Sequence, residues 1–370
     1  MKNLLVGNGL LIQYGGKDYT NKSIILRALE NYEKKNFPAH IIIDCPIEAK
    51  AFFGYMMLRI PQILNGDYDN YTNCSAEKEA LRLFIERYKD KKSLQISDIG
   101  FEDYYLVFDL ICHKYGIQNP DQFYVRESIK VAFLHSIYNN GDIGKVYYKF
   151  SDKLINYLKS FDNIFTTNYD NNIEKATGKN VYHIHGSFYD RSDIYNPESF
   201  RNQLGDYPMN DYDIDEKYFY LYSTAISAHC GEYKNSYMEQ ATLANSAIEK
   251  LADAYIEIPY IKDDVDSWEN HENNLVARLF DAVKVKISNP NLKFTESYHT
   301  KELKEMEGEL HIIGLSPYND FHIFDMINNS NISNINYYYF DESECSSVEK
   351  LINLKNINFL KIVDLWEEML

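Results

Sequence analysis

The stretch Phe165–Phe188 reads FTTNYDNNIEKATGKNVYHIHGSF and predicts the fold of this chain. It holds two short apolar segments, one ending in the polar residue Asn168 and the other in His185. Short apolar segments of this kind are typical of buried strands in parallel sheets, and the carboxyl ends of such strands meet at one edge. The sequence therefore predicts that an amide and an imidazole reach the same edge of a sheet.

Strand and helix patterns alternate on both sides of this stretch. The apolar run Leu4–Val6 breaks into Gly7-Asn8-Gly9, and Asn21 then precedes a helical pattern as its predicted N-cap. After residue 309 the predicted strands are His311–Ile313, Ile335–Phe340 and Phe359–Val363, with helical patterns at Phe321–Ile327 and Val348–Leu354. Alternating strands and helices predict the α/β class, as a doubly wound, Rossmann-like parallel sheet with right-handed crossovers.

Two long segments between these strands have mostly helical patterns. They lie at about 47–160 and about 190–305 and are predicted as helical insertions into a single domain over residues 1–370. Two shorter segments are also assigned. The run Ile41–Ile43 fits either a strand or a buried helix start, and Asp206–Tyr218 is predicted as an ordered acidic loop.

The composition restricts the class of protein. The chain has 370 residues, 45% of them hydrophobic, and a net charge of -17, which repels phosphate backbones and argues against direct nucleic-acid binding. Its five cysteines form no Cys-x-x-Cys pair, so we expect no zinc module and a reducing cytoplasm. No apolar run is long enough to cross a membrane, and the N-terminus does not match a signal peptide.

Glycine-containing turns follow two of the predicted strands. Gly7-Asn8-Gly9-Leu10 and Gly314-Leu315-Ser316 could let backbone amides and the Ser316 hydroxyl approach a phosphate or ribose, although plain strand-ending turns fit as well. Asp341 follows a strand, where an acid commonly accepts hydrogen bonds from an adenosine ribose; a solvated loop acid is the alternative. Asp320 is expected to cap the helix after it.

In this order, the motifs resemble the signatures of the sirtuin fold. The motifs are Gly7-Asn8-Gly9-Leu10, Thr167-Asn168-Tyr169-Asp170, His185-Gly186 and Gly314-Leu315-Ser316. They are similar to the Gly-Ala-Gly turn, the Gln-Asn-x-Asp segment, the His-Gly pair and the Gly-Thr/Ser-Ser loop of sirtuins. The resemblance covers about half of the chain and implies a sirtuin-like core that binds NAD.

The chain departs from sirtuin deacylases in two places. The paired zinc cysteines are missing, and Leu11–Gly16 stands where an Asp-Phe-Arg signature is expected. This pattern resembles the sirtuin-like NAD hydrolases (NADases) of bacterial anti-phage defence systems, which deplete NAD and abort the infection. The resemblance implies an NAD⁺ glycohydrolase with NAD⁺ as substrate and no metal.

The resemblance also implies roles for individual residues. Asn168 would position the nicotinamide ribose and the attacking water, His185 would act as general base, and Asp170 would orient the nicotinamide end or its loop. The backbone amides of Gly7–Leu10 and the Ser316 hydroxyl would hold the phosphates and the adenosine ribose. The full set of predicted cofactor-binding residues is Gly7, Asn8, Gly9, Leu10, Thr167, Gly186, Gly314, Ser316 and Asp341.

Other functions use the same residues. A protein deacylase or ADP-ribosyltransferase would also consume NAD, and a non-catalytic nucleotide sensor or scaffold would bind it without turnover. The resemblance implies a partner ATPase of the hexameric translocase type, or an Argonaute or sensor protein from the same operon. The aromatic-rich helical segments predict a homo-oligomer, because they add apolar surface outside the nucleotide core.

Overall fold

The structure is a computed structural model, and it describes residues 1–34, 36–41, 49–119, 121–196, 198–204, 214–229, 231–353 and 355–369. The chain forms two compact units. The first comprises Met1–Ser187, Ala225–Asn235 and His299–Leu370, and the second comprises Phe188–Thr224 and Ser236–Tyr298.

The first unit contains one parallel sheet of six strands. In chain order they are β1 (Lys2–Val6), β2 (Asn163–Thr166), β3 (Tyr182–His183), β4 (Glu307–Ile313), β5 (Asn331–Tyr339) and β6 (Asn356–Lys361). Their spatial order is β3-β2-β1-β4-β5-β6, and every neighbouring pair is parallel. This is the order of dinucleotide-binding Rossmann folds. The predicted α/β, Rossmann-like class is therefore confirmed.

The centre of the sheet follows from its sequence. In β1, Leu4, Leu5 and Val6 are almost completely buried, as expected for a strand with neighbours on both edges and helices on both faces. β2 pairs with one edge of β1, and β4 pairs with the other edge. The strand order reverses between β1 and β4, and this reversal places a crevice at their carboxyl ends.

Helices of the first unit join these strands. They are α1 (Gly9–Gly15), α2 (Asn21–Asn31), α3 (Ala49–Leu64), α4 (Ser75–Tyr88), α5 (Asp103–Tyr115), α6 (Asp121–Tyr138), α7 (Asp152–Lys159) and α8 (Asn172–Thr177). Ser151 caps α7, because its hydroxyl accepts the Leu154 N–H at 3.1 Å.

The second unit is helical in most of its described part. Its helices are α9 (Phe200–Leu204), most of α10 (Glu232–Glu257), α11 (Pro259–Asp266) and α12 (Asn274–Ser288). Two small clusters form its core, one around Phe200, Ile248 and Ala282, the other around Ala252, Val265 and Val283. The insertion boundaries at about 47–160 and 190–305 stay predictions.

The remaining helices belong to the first unit and lie near the C-terminus. They are α13 (Thr300–Lys304), α14 (Phe321–Asn328), α15 (Glu342–Leu351) and α16 (Ile362–Met369). In the part of the chain that the structure describes, none of the helices is both long and apolar enough to cross a membrane.

Some predicted boundaries were wrong. Thr20, not Asn21, caps α2, because its hydroxyl accepts the Ser23 N–H and Asn21 is already helical. The last strand ends at Lys361, and the predicted strand residue Val363 lies in α16. Ile42, Ile43, residues 206–213 of the predicted acidic loop, and Leu354 lie outside the described residues.

Candidate active site

A cavity of about 1100 Å³ opens at the carboxyl ends of β1 and β4, and we call it the β1–β4 cavity. It lies where the strand order reverses, which is where open α/β sheets bind their ligands. Seven of the residues predicted from the sequence line it: Asn8, Gly9, Thr167, Asn168, His185, Gly314 and Ser316.

The glycine turns after β1 and β4 touch each other at the floor of this cavity. A Cβ at Gly7 would lie 2.3 Å from the carbonyl oxygen of Gly314, and one at Gly9 would lie 2.5 Å from the Gly314 Cα. Gly314 itself has a φ of 66°, in the left-handed region. These glycines are needed because two backbones approach too closely for any side chain.

The amides of this turn are used inside the protein. Gly7 N–H donates to Ile313 at 2.8 Å, Gly9 N–H to Gly314 at 3.1 Å, and Leu10 N–H to Gly7 at 3.4 Å. The glycine turn therefore joins the β1 loop to the β4 loop in this structure. The predicted contact of these amides with phosphate stays a prediction.

Asn168 is held at the cavity by backbone and side-chain hydrogen bonds. Its N–H donates to the Thr166 hydroxyl at 3.1 Å, and its Nδ2 donates to the Gly7 carbonyl at 3.3 Å. Thr166 in turn donates to Val6, so the end of β2 is tied to the end of β1. Among the described residues nothing donates to the Asn168 Oδ1, which leaves this oxygen for a ligand.

His185 is paired with a second imidazole that sequence analysis did not identify. Its Nε2 lies 3.1 Å from the Nε2 of His322, and the ring planes are inclined by only 17°. The ring centres are 5.3 Å apart. This is close to the N–N distance plus the distance from each ring centre to its own Nε2, as expected if the two rings lie in line. The two nitrogens therefore face each other head-on, as in an N–H···N hydrogen bond.

This head-on geometry does not suit a shared metal ion. Asp320 brings a carboxylate oxygen within 4.8 Å of one ring nitrogen of each histidine, so the three side chains resemble a ligand set. An imidazole nitrogen binds zinc along its lone pair at about 2.0–2.1 Å, and an ion shared by two nitrogens 3.1 Å apart would lie off the line along which these two rings point. The pair is a hydrogen bond, and the Nδ1 of His185 is the ring nitrogen left for a ligand.

Burial keeps both of these imidazoles neutral. It lowers the pKa of His185 well below its usual value, with further lowering by Lys234 and His322. Burial and Lys234 lower the pKa of His322 to about 3. At neutral pH, His185 is therefore a neutral hydrogen-bonding group and a weak base.

His183 has a structural role, although the sequence places it beside His185. Its Nδ1 lies 2.9 Å from the Asn168 carbonyl oxygen, and its Nε2 lies 2.6 Å from Glu174. Burial is the largest influence and opposes protonation of His183, but the hydrogen bond and charge of Glu174, the Asn168 carbonyl and Asp170 together raise its pKa. Both ring nitrogens are occupied, and His183 is not among the residues that line the β1–β4 cavity.

Asp320 is the second residue that sequence analysis missed as part of the site. It occupies the N-cap position of α14, but its carboxylate makes no capping hydrogen bond, contrary to expectation. It lines the β1–β4 cavity instead. Burial, followed by the charge of Glu102, raises the pKa of Asp320 to about 7 even though Lys234 opposes the shift.

Lys234 and Glu102 form an ion pair whose charges act on Asp320. The side chain of Lys234 is only 1% exposed, and its Nζ donates to Glu102. Burial lowers the pKa of Lys234, but Glu102 outweighs burial and raises it, so the amine stays charged. The pair provides the fixed charges that act on His185, His322 and Asp320.

Acidic groups predominate in the lining of the cavity. Among the described lining residues Arg87 is the basic one, and it pairs with Asp103 at 2.9 Å and donates to Asn319 at 3.0 Å. The acids that line the cavity are Asp98, Glu102, Asp320, Glu344 and Glu367. The cavity therefore favours a ligand with a cationic part.

The other predicted site residues lie away from the cavity lining. Asp170 is buried, and its Oδ1 accepts the Asn172 N–H at 3.0 Å at the start of α8. Asp341 is exposed and caps α15 by accepting the Ser343 N–H at 2.9 Å. Gly7, Leu10 and Gly186 are likewise not lining residues.

Comparisons with known proteins do not assign this chain to a family. Searches against protein-family models, curated proteins and solved structures gave no match. What the chain does must therefore be inferred from the cavity and the residues around it.

Proposed function

We propose that this chain is an NAD⁺ glycohydrolase, which cleaves the bond between nicotinamide and ribose. One observation carries the proposal. Asn168, His185 and Asp320 line the same cavity, at the sheet edge where folds of this strand order bind dinucleotides. A volume of about 1100 Å³ is large enough for a dinucleotide.

The lining matches the charges of NAD⁺ at one end. The nicotinamide ring is cationic, so it would lie near the acidic groups, of which Asp320 has a carboxylate oxygen within 4.8 Å of a His185 ring nitrogen. Ser316 lines the cavity near Gly314, and its Oγ accepts the Tyr318 N–H at 3.3 Å. The hydroxyl hydrogen of Ser316 then remains available for a phosphate or ribose oxygen.

The reaction needs stabilisation of positive charge more than it needs an acid. When the C1′–N bond breaks, the electron pair leaves with neutral nicotinamide, and the ribose becomes oxocarbenium-like. An ionised Asp320 would stabilise that cation and accept a proton from the water whose oxygen bonds to C1′. A pKa of about 7 suits this role, because much of the group is ionised at neutral pH while it remains basic.

His185 and Asn168 would act on the ribose. The Nδ1 of His185 can form a hydrogen bond with a ribose hydroxyl while its Nε2 stays bonded to His322. Asn168 Oδ1 can accept from a second hydroxyl or from the attacking water. Holding the reacting carbon and the water in one orientation supplies much of the rate. General-base action by His185 itself, as the resemblance implies, stays a prediction.

Release of nicotinamide from NAD⁺ tests the proposal. The purified chain, alone and with the product of the neighbouring gene, is given the fluorogenic analogue etheno-NAD. We expect release by the wild type and a loss of about 10²-fold or more in His185→Ala and Asn168→Ala. His271→Ala, an exposed histidine, is the control and should match the wild type. No release under any condition, or full activity in both cavity variants, would contradict the proposal.

A role in anti-phage defence rests on the resemblance to sirtuin-like NADases. We propose that NAD hydrolysis is switched on by infection and needs a partner from the same operon. Cells that carry the wild-type gene should lose NAD after phage addition and form fewer plaques. Cells with His185→Ala should keep their NAD and lose protection; protection without NAD loss would argue against this role.

A further inference from the structure

A second cluster of side chains that could bind a metal ion lies in the first unit, and none of its residues lines the β1–β4 cavity. Glu77 in α4, Asp109 in α5 and His229, just before α10, are all buried. One potential ligand atom from each lies within 4.8 Å of the others. We call these three residues the Glu77–Asp109–His229 cluster.

His229 is the unusual member of this cluster. Its side chain is 1% exposed, and in the described part of the chain neither ring nitrogen has a hydrogen-bond partner. Leaving a buried polar atom unpaired destabilises the folded state, so two such nitrogens require an explanation. Nε2 lies 3.8 Å from the Asp109 Oδ2, too far for a hydrogen bond but suitable for an atom bound between them.

The charges of the cluster favour a cation over a water molecule. Two carboxylates are buried close together, and Arg126 donates from one nitrogen to both oxygens of Asp109 at 2.8 Å. Glu77 accepts the Asn73 N–H at 2.6 Å, which adds no charge. Arg126 pairs with Asp109, and the His113 ring lies 3.7 Å from Glu77, so the Glu77 carboxylate has no Lys or Arg partner among the described residues.

We propose that Glu77, Asp109 and His229 bind a divalent transition-metal ion, with Zn²⁺ preferred. Zinc accepts imidazole nitrogen and carboxylate oxygen together, at about 2.0–2.2 Å, whereas magnesium and calcium prefer oxygen alone. The ion would use the Nε2 of His229 and neutralise the excess carboxylate charge. It would connect α4, α5 and the segment before α10, so its role is structural.

Cobalt binding gives a direct test that does not depend on NAD hydrolysis. The full-length protein is freed of metal with a chelator, and Co²⁺ is added while its visible d–d bands are recorded. We expect about one Co²⁺ per chain, displaced by Zn²⁺, and a higher thermal midpoint in the presence of either ion. Protein purified without chelator should carry zinc by elemental analysis.

His229→Phe distinguishes a metal ligand from an unpaired histidine. Phe keeps the ring beside Tyr233, whose centroid is 3.7 Å from that of His229, and removes both nitrogens. If His229 binds the metal directly, the variant should lose more Co²⁺ affinity than the roughly 10–100-fold that follows when a residue hydrogen-bonded to a metal ligand is removed. It should also melt at a lower temperature than the metal-loaded wild type. Without a metal, it should melt at a higher temperature, because two unpaired polar atoms are gone.

Two further variants locate the ion. His185→Ala should keep the full Co²⁺ signal. If His185→Ala loses the signal and His229→Phe retains it, the metal lies in the β1–β4 cavity, and the proposal is overturned. If His229→Phe does not fold, the nearly isosteric variant Glu77→Gln takes its place in the test, and it should weaken Co²⁺ binding. A wild type that binds no Co²⁺ and carries no zinc, with a more stable His229→Phe, would also overturn it.

Discussion

The Nε2 atoms of His185 and His322 lie 3.1 Å apart and face each other head-on, although 137 positions separate the two residues in the chain. His185 follows β3, and His322 lies in the first turn of α14. Because one ring must donate and the other accept, His322 determines which nitrogen of His185 carries the proton.

Substitution of His322 should therefore reduce catalysis more than binding. In His322→Phe we expect kcat for NAD⁺ to fall about 10–100-fold, while KM changes less than about threefold, because the ring of His185 loses its fixed orientation. Steady-state kinetics measure both constants. His322→Gln, whose amide can still form the hydrogen bond, should recover part of the loss. Equal rates in the Phe and Gln variants would contradict a positioning role.

Asp320 should set the pH dependence of the proposed reaction. Its pKa is raised to about 7, so the active carboxylate form increases as the pH rises through 7. We expect kcat/KM to rise over that range and to level off above about pH 8. Asp320→Asn should lose about 10²–10⁴-fold in kcat and lose this limb of the profile. An unchanged profile in the Asn variant would show that another group titrates.

Asp320 should also select for the charge of the nicotinamide ring. Wild-type protein should bind NAD⁺ more tightly than NADH above pH 7, because only the oxidised ring is cationic. Asp320→Asn should reduce this preference, and calorimetry with both nucleotides measures it when each protein also carries His185→Ala, so that little NAD⁺ is consumed during the titration. This readout does not require turnover. A preference that is the same in both proteins would remove Asp320 from the nicotinamide end.

Asp170 should destabilise the folded state at neutral pH. Burial raises its pKa to about 6, so the folded state keeps this proton between about pH 4 and 6, where the unfolded chain has lost it. The stability from this group falls as pH rises through that window, by about 3 kcal/mol in total. Asp170→Asn does not titrate at this position. The difference in unfolding free energy between the variant and the wild type should therefore shift in favour of the variant by up to that amount as the pH rises from 4 to 7.5.

Urea unfolding at several pH values measures this change. The exposed Asp142→Asn variant provides the background for loss of a surface carboxylate. If the difference between Asp170→Asn and the wild type stays constant with pH, the carboxyl of Asp170 is not desolvated in solution.

Gly7→Ala should destabilise the fold strongly, because its Cβ would lie 2.3 Å from the Gly314 carbonyl oxygen. We expect a loss of about 2–3 kcal/mol, since neither backbone can move without disturbing a central strand. The matched control is Gly54→Ala, at an exposed helical position where an added Cβ would meet no atom within 4 Å among the described residues outside its own helix. It should gain about 0.5–1 kcal/mol. Equal unfolding midpoints for the two variants would contradict the close contact of the loops.

Local sequence patterns predicted the strands and the position of the cavity well. Leu4–Val6 in β1 and Ile164–Phe165 in β2 are short apolar runs followed by polar or glycine residues, which is the local pattern of parallel strand ends. Cap positions were predicted less well. Thr20 and Asn21 are both good capping residues, and only the backbone conformation decides between them.

The sequence by itself determined the alternation of strands and helices and the glycine turns after β1 and β4, because these depend on neighbouring residues. Tertiary structure decided the strand order, the use of Gly7 and Gly9 amides within the protein, and the choice of His185 over His183 for the cavity. It also brought His322 and Asp320 to His185, and His229 to two buried carboxylates. These contacts join residues far apart in the chain, and their burial, which sets the charges, exists only after the helices pack.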